Sequence, residues 1–208
     1  MTRTEKILHY ISIVLKVFIG VLVLISVWRQ DYFLAVVSLF ILFFTFLPAI
    51  VSRSFKINLP VEIDFLLTII LYTSYGLGEY GGFYVRFFWW DLFLHAGYSL
   101  ILGMVGFIFA YSLLITSRIK AKPLFIALFA VSFAVFAGVV WEIFEFSMDQ
   151  VFGLTMQKSG LVDTMTDLLV DSIGAITIGL IGFFYIKNPK PGIIHSIVTK
   201  FVDIKDRD

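Results

Sequence analysis

The sequence predicts an all-α fold, a polytopic membrane bundle of six transmembrane helices followed by a short cytoplasmic amphipathic helix at the C-terminal end. Three observations predict it. Hydrophobic residues fill 60% of the 208 positions and charged residues only 15%, whereas ordinary soluble domains carry roughly a quarter charged residues. The apolar residues are gathered in blocks long enough to cross a bilayer. The basic residues, in turn, fall almost entirely on alternate connections between those blocks.

A hydrocarbon core of about 30 Å needs about 20 helical residues per crossing. The first block, Ile7–Trp28, is longer than a signal-peptide core and lacks a small-residue cleavage signal, so it reads as a retained anchor. Tyr32–Val51 follows after a short connection. Leu59–Leu77 is weakened by polar residues, and its Glu62 and Asp64 follow Pro60 as helix-N-terminal acids. Asp91–Ile115 and Pro123–Phe146 are the fourth and fifth spans. Thr164–Ile186, again weakened by polar residues, is the sixth. Trp89, Trp90 and Trp141 fit an interfacial aromatic belt. Connections are short and no internal repeat stands out, so residues 1–187 read as one transmembrane domain.

Residues 188–208 form the tail. Beyond the break at Pro189 and Pro191, Ile193, Ile194, Ile197, Val198, Phe201 and Ile204 recur at helical spacing, with Lys200, Asp203 and Lys205 off the stripe. That pattern predicts a helix lying on the membrane surface. Lys16 sits in mid-span, where it must snorkel or pair; His9 and His195 read as interfacial bystanders.

Orientation follows from the basic residues. Twelve of them flank the two termini and the connections around residues 52–58 and 116–122, against three (Arg29, Arg86 and Lys158) on the opposite side. The positive-inside rule therefore places both termini in the cytoplasm. A net charge of +1 gives no sign of a nucleic-acid partner, and with no cysteine the chain has no disulfide, thiolate metal site or cysteine nucleophile.

The acids then sort to one side. Asp31, Glu79, Asp91, Glu142, Glu145, Asp149, Asp163, Asp167 and Asp171 fall towards the outside, nine of the fifteen. At 100° per residue, Asp163, Asp167 and Asp171 form one stripe drifting about 80° and descending about 12 Å. Gly174 continues it and would let another helix approach. Glu142, Glu145 and Asp149 lie within about 60° of one another. Asp91 and His95 are one turn apart, and Tyr72, Tyr75 and Glu79 share a face of span three. An ionisable group in lipid costs several kcal/mol unless paired, hydrated or turned inward.

Like charges this close need protons or a cation among them. Carboxylates with one imidazole suit Mg²⁺, Mn²⁺, Zn²⁺ or Fe²⁺. The expected ligands are Asp91, His95, Glu142, Glu145, Asp163, Asp167 and Asp171, with His95, Glu142 and Asp167 the expected catalytic residues. The Glu142/Glu145 spacing is that of carboxylate ligands in bundle metal sites, without the Glu-x-x-His partner of the di-iron pattern. Asp91 and Asp163 read equally well as helix-start acids that suit the dipole, and Asp149 as a loop residue.

Three motifs carry a family resemblance: GLGEYGGFYVRFFWWDLFLH from Gly76 to His95, WEIFEF from Trp141 to Phe146, and DTMTDLLVDSIGA from Asp163 to Ala175. In this order they resemble the YjdF-like family of bacterial inner-membrane proteins, from about Leu59 to Gly182. A looser similarity extends to VanZ-like proteins. Asp91 and His95 match their D-x-x-x-H, Glu142 or Glu145 their next acid, and Asp167, Asp171 and Gly174 their acid-rich helix start. Asp171 stands where that pattern has asparagine, and Lys158 is the one basic residue of the preceding loop, where the pattern has arginine. The resemblance implies a multi-span protein of the bacterial cytoplasmic membrane, and the VanZ-like likeness points to the cell envelope.

Three functions remain open on these residues. The first is a metal-dependent membrane hydrolase or transferase acting outward on a lipid-linked or envelope substrate. The second is a non-catalytic component whose polar cluster holds helices or a protein partner. The third is a cation- or proton-coupled transporter; the acids stop in the outer half and no polar track continues past Ile176.

Overall fold

The computed structural model describes residues 2–55 and 60–189 together with positions 195 and 198. Every regular element among them is a helix: α1 (Arg3–Trp28), α2 (Tyr32–Thr45), α3 (Leu47–Phe55), α4 (Val61–Leu71), α5 (Phe83–Arg86), α6 (Trp90–Ile115), α7 (Pro123–Phe152) and α8 (Leu161–Lys187). A π-helical segment, Tyr72–Tyr80, prolongs α4. The tail helix expected over residues 188–208 lies almost wholly outside the described residues.

Local chemistry accounts for the boundaries. Thr2 and Glu5 form a reciprocal capping box at the start of α1. The Asp31 carboxylate accepts from the Leu34 amide at 3.0 Å and starts α2. Pro123 opens α7, where its missing N–H is harmless, and Gly153 closes it in the left-handed region at φ 66°.

Five helices are long and apolar enough to cross a membrane, and α2 with α3 makes a sixth crossing if the pair, bent by 45°, is one span. The bend falls beside Pro48, which cannot donate to the carbonyl one turn back. The polytopic all-α bundle is thus what the chain forms. Three ends differ from the sequence expectation. The third span runs on through Tyr80, while α7 continues to Phe152 and α8 begins at Leu161, so that Asp149 and Asp163 sit in terminal helical turns.

The helices group into two compact units, one reaching to Trp90 and the other starting at Asp91. In the first, α1 packs on α2 and α4. Ser12, Ile19 and Ser26 lie buried at seven-residue spacing on α1, and the two small serines let helices approach closely. Lys16 pairs with Asp64 at 2.6 Å, and the Ser12 hydroxyl donates to the same carboxylate at 2.5 Å. The mid-span lysine is therefore an interhelical ion-pair partner, and Asp64 is more than an N-terminal acid. Tyr75 shares a 2.5 Å hydrogen bond with Ser38 within the same unit.

In the second unit α7 packs along α8 with small residues at the contact, Gly138 against Asp171 and Gly179 against Ala127 and Val131, while Gly174 and Gly182 of α8 meet α6. A side chain at Gly174 would strike the Ser99 hydroxyl and the Ala96 carbonyl of α6. That glycine admits α6 to within backbone distance, as its place on the acidic stripe predicts.

Candidate functional site

Three helix ends meet in the second unit: the starts of α6 and α8 and the last turns of α7. His95, one turn into α6, is only 4% exposed, and Glu142, Glu145, Asp167 and Asp171 are buried with it. The imidazole Nδ1 lies 3.3 Å from Asp171 Oδ2. Its Nε2 faces Glu142 Oε1 at 3.8 Å and Asp167 Oδ2 at 4.0 Å. The ring edge of Tyr98 stands against it, with centroids 6.5 Å apart. One ring thus touches α8 through one nitrogen and looks towards α7 and α8 with the other.

Close approach makes this arrangement possible. A Cβ at Gly138, one turn before Glu142, would overlap the Asp171 carboxylate. Glycine there lets Asp171 reach the imidazole, and Gly174 brings α6 against α8 one turn beyond. The packing of small residues and the position of the acids are one design.

Glu142 is the anomaly. Both of its carboxylate oxygens are enclosed and accept no hydrogen bond, although the Thr164 hydroxyl stands nearby. A buried unsatisfied polar group costs about 1–3 kcal/mol, and more when charged. His95, Glu142 and Asp167 each offer a ligand atom within 4.8 Å of the others. Ligands about 2.1 Å from a common ion stand at most about 4.2 Å apart, so the spacings of 3.8 Å and 4.0 Å from Nε2 are too long for hydrogen bonds yet suit ligands of one ion. A carboxylate behind the second nitrogen, as Asp171 provides, is the usual partner of a metal-binding histidine.

The remaining expected residues are placed differently. Glu145 accepts from the Trp141 indole at 3.0 Å and belongs to neither group of convergent ligand atoms. Trp141 is therefore more than a belt residue. Asp91 and Asp163 converge with Asp167 in a second group, less buried than the first. Asp91 also pairs with the Lys158 ammonium at 3.1 Å, and Asp163 accepts from the Lys158 amide at 3.0 Å. Asp149 accepts from the amides of Met156 and Gln157 at 2.7 Å and 2.9 Å, and so shapes the loop. Tyr72, Tyr75 and Glu79 belong to the first unit.

Sequence reasoning missed Gln157, Thr164 and Gly138 as parts of the site, and named Lys158 as an outer cation without its partners. Gln157 donates to the Thr164 hydroxyl at 2.6 Å, tying the loop to α8 beside Glu142. The spacing of Gly138 from Glu142, one helical turn, was a usable signal; the loop contacts had none. Away from the cluster, the buried polar side chains described in this unit are Ser99 and Ser112. Both donate to carbonyls of their own helix.

A protein of Thermotoga maritima described as uncharacterised is 29% identical over 136 residues, which cover 65% of this chain and 69% of that one. No solved structure matches. The likeness to VanZ-like proteins gains nothing from these matches. The family of predicted membrane proteins called DUF2238, which includes YjdF, matches over residues 10–188, and this multi-pass chain belongs to it.

Proposed function

We propose that this protein is a divalent-cation-dependent membrane enzyme acting on a lipid-linked or cell-envelope substrate at headgroup level. One observation carries the reading: Glu142, 4% exposed, turns two unpartnered oxygens towards His95 and Asp167. The imidazole 3.8 Å away is the one basic group beside it among the described residues. Three buried carboxylates, Glu142, Asp167 and Asp171, surround that single ring, so a cation among the three ligands would supply the balance. His95, Glu142 and Asp167 would hold the ion. Mg²⁺, Mn²⁺, Zn²⁺ and Fe²⁺ all accept such a ligand set. A cation so held supplies Lewis acidity towards a phosphoryl or carbonyl oxygen and makes water more acidic. Asp171 keeps the imidazole oriented with Nε2 towards the carboxylates.

The family resemblance supports a bacterial cytoplasmic membrane, and the distribution of basic residues supports a site on its outer side with both termini inside. Transport is the weaker reading. Beyond the cluster Ser99 and Ser112 are satisfied locally, and the titratable groups further along, Tyr111, Tyr185 and His195, contact one another, with no described contact linking them to the acids. A purely structural role is weaker still, since interhelical polar contacts contribute only about 0.6–2 kcal/mol each.

Elemental analysis of protein purified without chelator tests the reading. About one bound divalent ion per chain, lost in Glu142→Gln and in Asp167→Asn, is expected. A metal-free wild type whose thermal stability ignores added Mg²⁺, Mn²⁺, Zn²⁺ and Fe²⁺ would defeat it. Lipid extracts of cells with and without the protein would then show which substrate accumulates.

A further inference from the structure

Exposure rises in steps on the way out of the cluster. The Asp167 side chain is 3% exposed, that of Asp91 18% and that of Lys158 40%. Asp91 stands one turn before His95 on α6, and one of its carboxylate oxygens lies within 4.8 Å of an Asp167 oxygen. The way in from solvent therefore passes beneath Lys158.

Lys158 belongs to residues 153–160, the non-helical connection from α7 to α8. The loop is tied to both helices that it joins. The amides of Met156 and Gln157 donate to Asp149 of α7, while the Gln157 side chain donates to Thr164 and the Lys158 amide to Asp163, both of α8. The Lys158 ammonium adds a tie to α6, the third wall of the cluster, by donating to Asp91 at 3.1 Å. Glycines bound the loop, Gly153 at φ 66° and Gly160 at φ 61°, each with open space where a Cβ would stand. Glycine has the widest choice of backbone conformations, so both ends can serve as pivots.

We infer that residues 153–160 are a strap across the mouth of the cluster, fastened to α6 by Lys158 on Asp91, and that the cluster is entered when this fastening lets go. The inference rests on reading the cluster as a site that a ligand from outside must reach. An exposed ion pair suits a fastening. It shifts an equilibrium by at most about fivefold, so it closes the mouth without sealing it, and salt weakens it.

Carbethoxylation of His95 by diethyl pyrocarbonate tests this, in full-length protein in detergent with EDTA, with each histidine followed by peptide mass spectrometry. Buried His95 reacts through opening, and exposed His9 is the reference. At low ionic strength Lys158→Met should speed His95 labelling about two- to fivefold and leave His9 unchanged. Lys158→Arg keeps the charge and should restore the wild-type rate. At about 1 M salt the wild type and Lys158→Met should converge. Equal His95 rates in the two proteins at low salt overturn the strap, and so does an equal acceleration of His9. Replacing EDTA with Mn²⁺ separates the two readings. If Mn²⁺ slows His95 labelling in neither protein while Lys158→Met stays faster, the cation reading fails and the strap stands.

Discussion

Glu142→Gln reverses sign with the solution, and that reversal is a demanding test of the site. The wild-type carboxylate is 4% exposed, with both oxygens enclosed and no hydrogen bond. Without a cation, such a group destabilises the fold by about 1–3 kcal/mol. Glutamine has nearly the same shape and no charge. In chelator the variant is therefore expected to be the more stable protein, by the extra cost that the charge adds. Divalent metal at a hundred times its Kd adds about 2.7 kcal/mol to the protein that binds it. The wild type should gain this and the variant little, so the order inverts. Each kcal/mol moves Tm by about 2–4 °C for a chain of this size, so the wild-type swing is about 5–11 °C. Intrinsic tryptophan fluorescence on heating, in one detergent with EDTA or with Mn²⁺, reads it directly. A Glu142→Gln protein less stable than wild type in chelator would refute the reasoning, and so would equal gains from metal.

Three further outcomes are expected. Lys16→Met strands Asp64 in the first unit and should cost about 3 kcal/mol, most of it recovered in Lys16→Met/Asp64→Leu, as chemical denaturation would show; an additive pair would contradict the coupling. Gly174→Leu drives α6 away from α8 at Ser99, so Mn²⁺ affinity should fall at least about tenfold alongside about 1–3 kcal/mol of stability; unchanged binding by calorimetry would mean His95 does not depend on that contact. Reporter fusions after Asn188 and within residues 153–160 should report cytoplasm and exterior respectively, and a loop reporter active in the cytoplasm would invert the topology.

The fold was legible because a membrane leaves few choices: long apolar blocks form helices, and only their ends are uncertain. Those ends moved for reasons the hydropathy pattern omits. Asp149 extends α7 because its side chain is occupied by the loop amides, and α4 continues through Tyr80 by a change of hydrogen-bond pattern. The stripe of Asp163, Asp167 and Asp171 was readable from period alone, and so was the role of Gly174. Which acids converge on the imidazole was not. Asp171 and Glu145 look like ligands in sequence, yet the structure turns one onto His95 Nδ1 and the other onto Trp141. That choice depends on side-chain direction across three helices. Lys158 was counted only as an outer cation, because nothing in a loop sequence says which acids it meets. Lys16 and Asp64, 48 positions apart, are a pair no local pattern could announce.

The two units treat buried charge in opposite ways, and the contrast decides how the acidic cluster should be understood. In the first unit the charge at mid-span is closed: Lys16 and Asp64 neutralise each other, and Ser12 adds a hydrogen bond to the carboxylate. The same chain therefore has the means to compensate an ion within the bundle when compensation is all that is needed. In the second unit three buried carboxylates, Glu142, Asp167 and Asp171, face one buried imidazole, and a fourth, Glu145, is buried nearby on Trp141. Lys158, from the loop after α7, gives its ammonium to Asp91 at the rim. A bundle tuned for stability alone would have replaced several of these acids with apolar or amide side chains, since isosteric neutral groups avoid the burial penalty. Retaining them, and opening room for them with Gly138 and Gly174, makes sense when the missing positive charge arrives from solution.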